Sequence, residues 1–261
     1  MQFQTVPMFI DSHCHLDDAA FDADRAAMLT RAHQAGVSDF VVPAVDAAGW
    51  QKLHDLAAAD ASLHPAYGLH PMFLEVHRPE HLPALAAWLR EHRSVAVGEC
   101  GLDYYVADLD PAVQVEYFTG QLRIARDLEL PVIIHARRSV DDIIKYVRRF
   151  APLTGVVHSF AGSEQQARKL IELGFCLSFG GPLTYDRARR LQKLVATLPI
   201  ESLLLETDAP DQPDSAHRGM RNEPAWLPGI AARMAELRGM EIDALARQTA
   251  ENTRRLFRLP H

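Results

Sequence analysis

Pro131-Val132-Ile133-Ile134-His135 is apolar through Ile134 and closes on an imidazole. A strand that is hydrophobic on both faces is the pattern of a parallel strand covered by helices on either side. Similar runs recur in both directions along the chain. Strands are expected at Met8–Ser12, Asp39–Ala44, His64–Leu69 and Val95–Glu99 before it, and at Gly155–His158, Phe175–Phe179 and Ser202–Glu206 after it. Helical segments separate them: Asp24–Gln34, Gly49–Ala59, Pro79–Arg90, Val113–Leu128, Val140–Arg149, Ser163–Leu173 and Arg187–Thr197, with Trp226–Leu237 and Asp243–Phe257 closing the chain. Leu82, Leu85 and Leu89 keep helical spacing. Gly36 is placed to end a helix, and Ser163 with Gln166 forms a capping-box signature. Eight βα units of roughly thirty residues each predict a (β/α)8 TIM barrel of the α/β class. The alternative is a doubly wound open sheet. Its dinucleotide-binding form carries a glycine-rich fingerprint after the first strand, and none stands there.

The chain has 261 residues, a length that single α/β barrels commonly reach. One domain over 1–261 is therefore expected, with no linker or low-complexity tract. No run is apolar enough to span a membrane, and residues 1–8 lack the pattern of a leader peptide. Cys14, Cys100 and Cys176 are odd in number and far apart, which argues against a disulfide framework and for a reducing, cytoplasmic setting. A net charge of −7 argues against a protein that coats long duplexes through a basic face. It leaves room for an enzyme that grips a short stretch of backbone locally.

In such barrels the active site lies at the C-terminal ends of the strands. Those ends carry His13 and His15, then His70, Glu99, His135, His158 and Asp208. Taken singly, all but Glu99, whose carboxylate would be costly to bury without cations, have a plainer reading. With 13 histidines in the chain, one His-x-His pair arises easily by chance. His135 and His158 suit buried imidazoles bonded to backbone, Asp208 suits a helix N-cap, and Gly68-Leu69-His70-Pro71 suits a turn. Their convergence on one mouth is what carries weight. Imidazole pairs with two carboxylates suit Zn²⁺, Mn²⁺ or a similar ion; Ca²⁺ takes more oxygens, and a structural zinc site takes cysteines.

Asp11-Ser12-His13-Cys14-His15-Leu16, Gly68-Leu69-His70-Pro71, Gly98-Glu99-Cys100-Gly101-Leu102-Asp103 and Glu206-Thr207-Asp208-Ala209-Pro210 resemble the motifs of the TatD family. These are metal-dependent deoxyribonucleases on a (β/α)8 barrel related to amidohydrolases. Pro131–His135, Val156–Phe160, Arg221–Pro224 and Asn252–Phe257 fit as well, so the resemblance covers nearly the whole chain. It implies that His13, His15, Glu99 and Asp208 bind one divalent metal, and that Glu99 bridges to a second completed by His135 and His158. Zn²⁺, Mg²⁺ and Mn²⁺ are the candidate ions.

Two metals about 3.5–4 Å apart activate a water and stabilise a phosphoryl transition state. Within that scheme Glu99 and Asp208 are the catalytic carboxylates, Asp208 orienting the attacking water and accepting its proton. His70 is expected to contact the scissile phosphate or protonate the leaving oxygen. Asp11 has the face parity of His13 and is a candidate to orient an imidazole from below. Arg137 and Arg138 follow the fifth strand, and Arg218 and Arg221 the eighth; Arg137 and Arg221 are the candidates to hold flanking phosphates. Cys14 and Cys100 have the opposite parity to their neighbouring ligands and read as packing against helices. The leading expectation is an exonuclease-type phosphodiesterase acting on DNA ends, preferably single-stranded, with no membrane and no obligate protein partner. An amidohydrolase-type enzyme cleaving a C–N or ester bond in a small molecule or aminoacyl-tRNA is the second reading. A catalytically idle metal-binding module is the third, against which the intact ligand set argues.

Overall fold

Residues 8–260 are described in this computed structural model, so the expected lack of a leader at residues 1–7 lies outside the described residues. Eight parallel strands alternate with helices. The strands are β1 (Phe9–Asp11), β2 (Val37–Pro43), β3 (Leu63–Ala66), β4 (Val97–Asp103), β5 (Val132–Arg137), β6 (Gly155–Val157), β7 (Phe175–Phe179) and β8 (Leu203–Leu205). Between them run α1 (Arg25–Gln34), α2 (Trp50–Ala59), α3 (His81–Glu91), α4 (Pro111–Asp127), α5 (Val140–Arg149), α6 (Glu164–Glu172) and α7 (Arg189–Thr197). Two more helices, α8 (Leu227–Arg238) and α9 (Ile242–Phe257), follow β8. No helix among the described residues is long and apolar enough to cross a membrane.

The ladders run β1-β2-β3 and β4-β5-β6-β7-β8. Backbone hydrogen bonds join the two arcs at both seams. Gly98 N donates to Tyr67 O at 2.9 Å on one side, and Ser12 N donates to Leu205 O at 2.9 Å on the other. The ring is closed, which confirms the expected (β/α)8 barrel.

Both faces of the strands are buried, as the apolar runs require. Ile10, Val41, Ala66, Ala96, Ile133, Val156, Cys176 and Leu204 form an inner cluster, one residue from each strand or its immediate lead-in. Ala250 and Phe257 of α9, with Leu259 just beyond it, complete this cluster. The alternate residues, among them Phe9, Phe40, Leu63 and Leu177, join the larger cluster between strands and helices. Cys14 and Cys100 belong to that outer layer, as their parity predicts. Each fully buried aliphatic side chain here contributes about 1.5–3 kcal/mol relative to exposure. The capping box at α6 is present in both directions: Ser163 Oγ accepts from Gln166 N, and Gln166 Oε1 from Ser163 N.

The observed elements depart from expectation mainly at β4 and β5. β4 begins at Val97 and runs on to Asp103, and β5 runs to Arg137, because Leu102 pairs with Ala136 and Asp103 with Arg137. Backbone pairing carries the ladder past the point where hydrophobicity stops. Val97 pairs with Val132 and Cys100 with Ile134, so β4 spends three residues where β5 spends two. This bulge shifts the side-chain alternation of β4. Ala96 and Glu99, an odd number apart, consequently both face the barrel axis.

Candidate metal centre

The centre is built across the β8–β1 seam. Asp11 is fully buried, and its carboxylate accepts from Thr207 N at 3.0 Å and Thr207 Oγ1 at 2.5 Å. It touches His13 only at the backbone nitrogen, at 3.3 Å. Asp11 therefore fastens the end of β1 to the segment after β8, and the expectation that it orients an imidazole from below is corrected. Beyond β1 the chain continues in irregular contact with its neighbours: Cys14 N donates to Val41 O, His15 N to Ala209 O, and Asp208 N to His13 O. His13 and His15 thus converge from a loop held on both sides.

Four donor atoms meet there. His13 Nε2 and His15 Nε2 are 3.3 Å apart. Glu99 Oε2 lies 3.1 Å from the first and 3.4 Å from the second, and Asp208 Oδ1 lies 3.4 and 3.6 Å from them. Gln212 Nε2 donates to the other oxygen of Asp208, and Pro43 O lies 3.1 Å from His15 Nδ1. These contacts leave Asp208 Oδ1 and the His15 Nε2 lone pair aimed inward.

Glu99 Oε1 looks the other way. It lies 2.8 Å from His158 Nε2, 2.9 Å from His70 Nε2 and 3.2 Å from His135 Nδ1. His135 Nδ1 and His158 Nε2 are themselves 3.3 Å apart. β4 presses closely on β5 beside this cluster. Gly101 has φ +145°, and a Cβ there would lie 2.1 Å from His135 O, so only glycine fits.

Glu99 is 1% exposed and faces five imidazoles with no Lys or Arg among its partners. Burial opposes its ionisation, but attraction to the imidazoles around it, His158 first, outweighs burial and holds the carboxyl well below its ordinary value. Burial also opposes charge on His15 and His158; Glu99 prevails and pushes them up to about 10 and about 9. Burial wins at His13, which stays well below its ordinary value, and at His70, lowered to about 4.

These residues fit divalent ions. Glu99 Oε2, which faces His13 and His15, is buried without a hydrogen-bond partner, a costly state for a polar atom. The donor set is imidazole nitrogen and carboxylate oxygen, as first-row divalent ions prefer. Four ligands about 2.0–2.2 Å from a tetrahedral ion stand roughly 3.3–3.6 Å apart. The measured separations around His13 and His15 lie close to that spacing.

Two acidic residues belong to the site that the sequence reading gave no role. Asp103 is fully buried, and its Oδ2 lies 2.9 Å from His135 Nε2, which leaves His135 Nδ1 facing Glu99. It closes the stretch Gly98–Asp103, four residues past Glu99. Glu206, also fully buried, accepts from Ser159 N at 2.7 Å and from Ser178 Oγ, and stands 4.0 Å from His158 Nδ1. Its spacing of two from Asp208 was the available signal.

The cluster opens into a cleft of about 1470 Å³ lined by His15, His70, Glu99, His135, His158 and Asp208. Arg137 and Arg138 line its wall. Arg221 does not: its guanidinium makes two hydrogen bonds of 2.8 Å to the Asp24 carboxylate and one to Ala20 O. Arg218 is likewise absent from the lining. The expected substrate contact at Arg221 is therefore corrected to an ion pair that ties the segment after β8 to the start of α1. Asp208 (φ 59°), Ser159 (φ 44°) and Arg138 (φ 57°) are all left-handed, and such strain in non-glycine residues gathers at functional sites.

The profile of the family described as TatD related DNase matches residues 10–258. An Escherichia coli K12 protein, the uncharacterized metal-dependent hydrolase YjjV, is 42% identical over 255 residues, covering 97% of this chain and 98% of its own. The metal-dependent hydrolase YabD of Bacillus subtilis 168 is 33% identical over 258 residues, covering 97% and 100%. The solved structure of YjjV, a TatD homolog from Escherichia coli K12, superposes with a TM-score of 0.94 at 39% identity, over 98% of this chain and 100% of that one. The chain belongs to the TatD related DNase family, whose metal-dependent hydrolase character it shares.

Proposed function

We propose that this protein is a two-metal phosphodiesterase that removes nucleotides from DNA ends, preferably single-stranded ones. His13, His15, Glu99 and Asp208 hold one divalent ion, and Glu99, His135 and His158 hold the other. The observation that carries this reading is the orientation of Glu99, whose Oε2 faces His13 and His15 while Oε1 faces His135 and His158. A single carboxylate set between two imidazole pairs suits two ions better than one. When bound, such ions lower the pKa of a water and offset charge growing on phosphoryl oxygens.

The chain's own residues do the rest. Asp208 turns one oxygen toward the site while Gln212 restrains the other, which orients Asp208 to accept a proton from the attacking water. His70 Nδ1 accepts from Met72 N at 3.1 Å, so its proton sits on Nε2, directed at Glu99 Oε1. Kept neutral, His70 has only that N–H, and it reaches an incoming phosphate oxygen by turning from Glu99 Oε1. In this reading the protein works as one barrel domain over residues 1–261, in a cytoplasm whose reducing conditions suit its free thiols Cys14, Cys100 and Cys176.

The test is to load pure protein with Zn²⁺, Mn²⁺ or Mg²⁺, measure metal stoichiometry, and assay end-labelled oligonucleotides beside an ester and amide panel. Release of nucleotides from single-stranded ends at up to two ions per chain is expected. Turnover of an ester or amide with none of oligonucleotides would assign the protein to the amidohydrolase-type reading.

A further inference from the structure

Arg137 follows His135 by two positions on β5, which puts it on the same side of the strand and roughly 7 Å further out. That is comparable with the step between neighbouring phosphates of an extended single strand. Its guanidinium carbon lies 3.7 Å from the centre of the Tyr105 ring, and that of Arg138 lies 4.7 Å from the same centre. Among the described residues neither guanidinium has a carboxylate within ion-pairing distance. The nearby acids are engaged elsewhere: Asp141 accepts from Gln166, and Asp142 accepts from Tyr104 and Lys145. An aromatic face holds a cation without neutralising it as a carboxylate would. Tyr105, half exposed at 51%, thus positions two guanidinium forks whose N–H groups remain open to an anion.

The opposite wall is acidic without a cation. Loops after β1 and β2 contribute Asp17, Asp18 and Asp46 to the cleft lining and no Lys or Arg. β1 and β2 lie across the barrel from β5 and β6, so Arg137 and Arg138, with Asp141 and Asp142 beside them, face that acidic wall across the metal centre.

We propose that Arg137 and Arg138, held over Tyr105, clamp the phosphate that flanks the scissile one. The polynucleotide then leaves the cleft over β5, and its terminal nucleotide lodges against the acidic wall with a free hydroxyl rather than a phosphate. This rests on the reading of the protein as a nuclease.

The experiment compares metal-loaded wild type with Arg137→Ala, Arg138→Ala, Tyr105→Leu and Tyr105→Phe. Each is assayed on single-stranded oligonucleotides and on an aryl ester of thymidine monophosphate that has one phosphodiester only. Each arginine variant should raise KM for the oligonucleotide about tenfold. kcat on the oligonucleotide and both constants on the aryl ester should stay within about twofold of wild type. The salt slope of oligonucleotide binding should fall by about one per arginine. Tyr105→Phe keeps the ring and should behave as wild type, whereas Tyr105→Leu should follow the arginine variants. A terminal phosphate on the entering end should slow cleavage about tenfold relative to a hydroxyl. Unchanged oligonucleotide KM or equal loss on both substrates would overturn the clamp, and indifference to a phosphate at either end would overturn the placement of the terminal nucleotide, each leaving the nuclease reading intact. Aryl ester turnover by wild type without any oligonucleotide cleavage would remove that reading and the clamp with it.

Discussion

Asp103 Oδ2 and His135 Nε2 stand 2.9 Å apart, the carboxylate fully buried and the imidazole at the wall of the cleft. The contact fixes which nitrogen of His135 faces Glu99. A carboxylate behind a metal-binding imidazole sets its tautomer and raises its basicity. Asp103→Ala should therefore lower metal affinity at the His135 side, or activity, by about 10–100-fold while the barrel stays folded. Metal titration with circular dichroism checks this. Unchanged affinity would leave Asp103 with only its loop contacts to Tyr105 and Val106.

Glu99 is the one carboxylate shared by both imidazole pairs, so its loss has a different signature from that of a histidine. Glu99→Ala removes an ionic donor from each side and should lose most of both metals and nearly all activity. His158→Ala should keep the ion held by His13, His15, Glu99 and Asp208 while losing most turnover. Both should remain folded, because the inner apolar cluster lies below the mouth. Mass spectrometry of the native variants reads the stoichiometry. A folded Glu99→Ala protein with one full equivalent and a near-normal rate would exclude the bridging role.

Without metal, stability should fall as pH rises above about 7. Burial raises Asp11 to about 7 and Glu206 to about 8, and Glu99 raises His15 to about 10 and His158 to about 9 against the effect of burial. Each group binds its proton more tightly folded than unfolded. Its contribution is complete below the unfolded pKa and is lost as pH climbs through the folded one. The depressed imidazoles His13 and His70 act in the opposite direction, but only up to their unfolded value of about 6.5. Metal binding must displace the protons on His15 and His158, so affinity rises over the same window. The melting temperature of chelator-treated protein should drop between about pH 7 and about pH 9, and its gap to metal-loaded protein should widen. A narrowing gap would contradict this.

Arg221→Ala should leave KM for oligonucleotides within about twofold of wild type, because the side chain is committed to Asp24 and sits outside the cleft lining. Arg31 makes a parallel pairing with Glu223, so the segment after β8 keeps a second tie to α1. A tenfold rise in KM with unchanged melting temperature would return Arg221 to the substrate path.

The barrel and most of the site were legible in the chain because both leave local marks. Runs such as Val132–Ile134 are apolar at consecutive positions, which only a strand covered on both faces requires. His135 and His158 were visible because each polar residue closes such a run, and the barrel brings every strand end to one mouth. Tertiary structure alone decided the rest. Glu99 reaches the axis through a bulge defined by pairing with β5, and no periodicity along β4 announces it. Asp103 acquires its role from an imidazole 32 positions away, and Arg221 is withdrawn from the cleft by an aspartate 197 positions away. Apolar patterning records which face of an element is buried. A polar side chain's partner is set by which strands and loops become neighbours, and that information exists only once the barrel has closed.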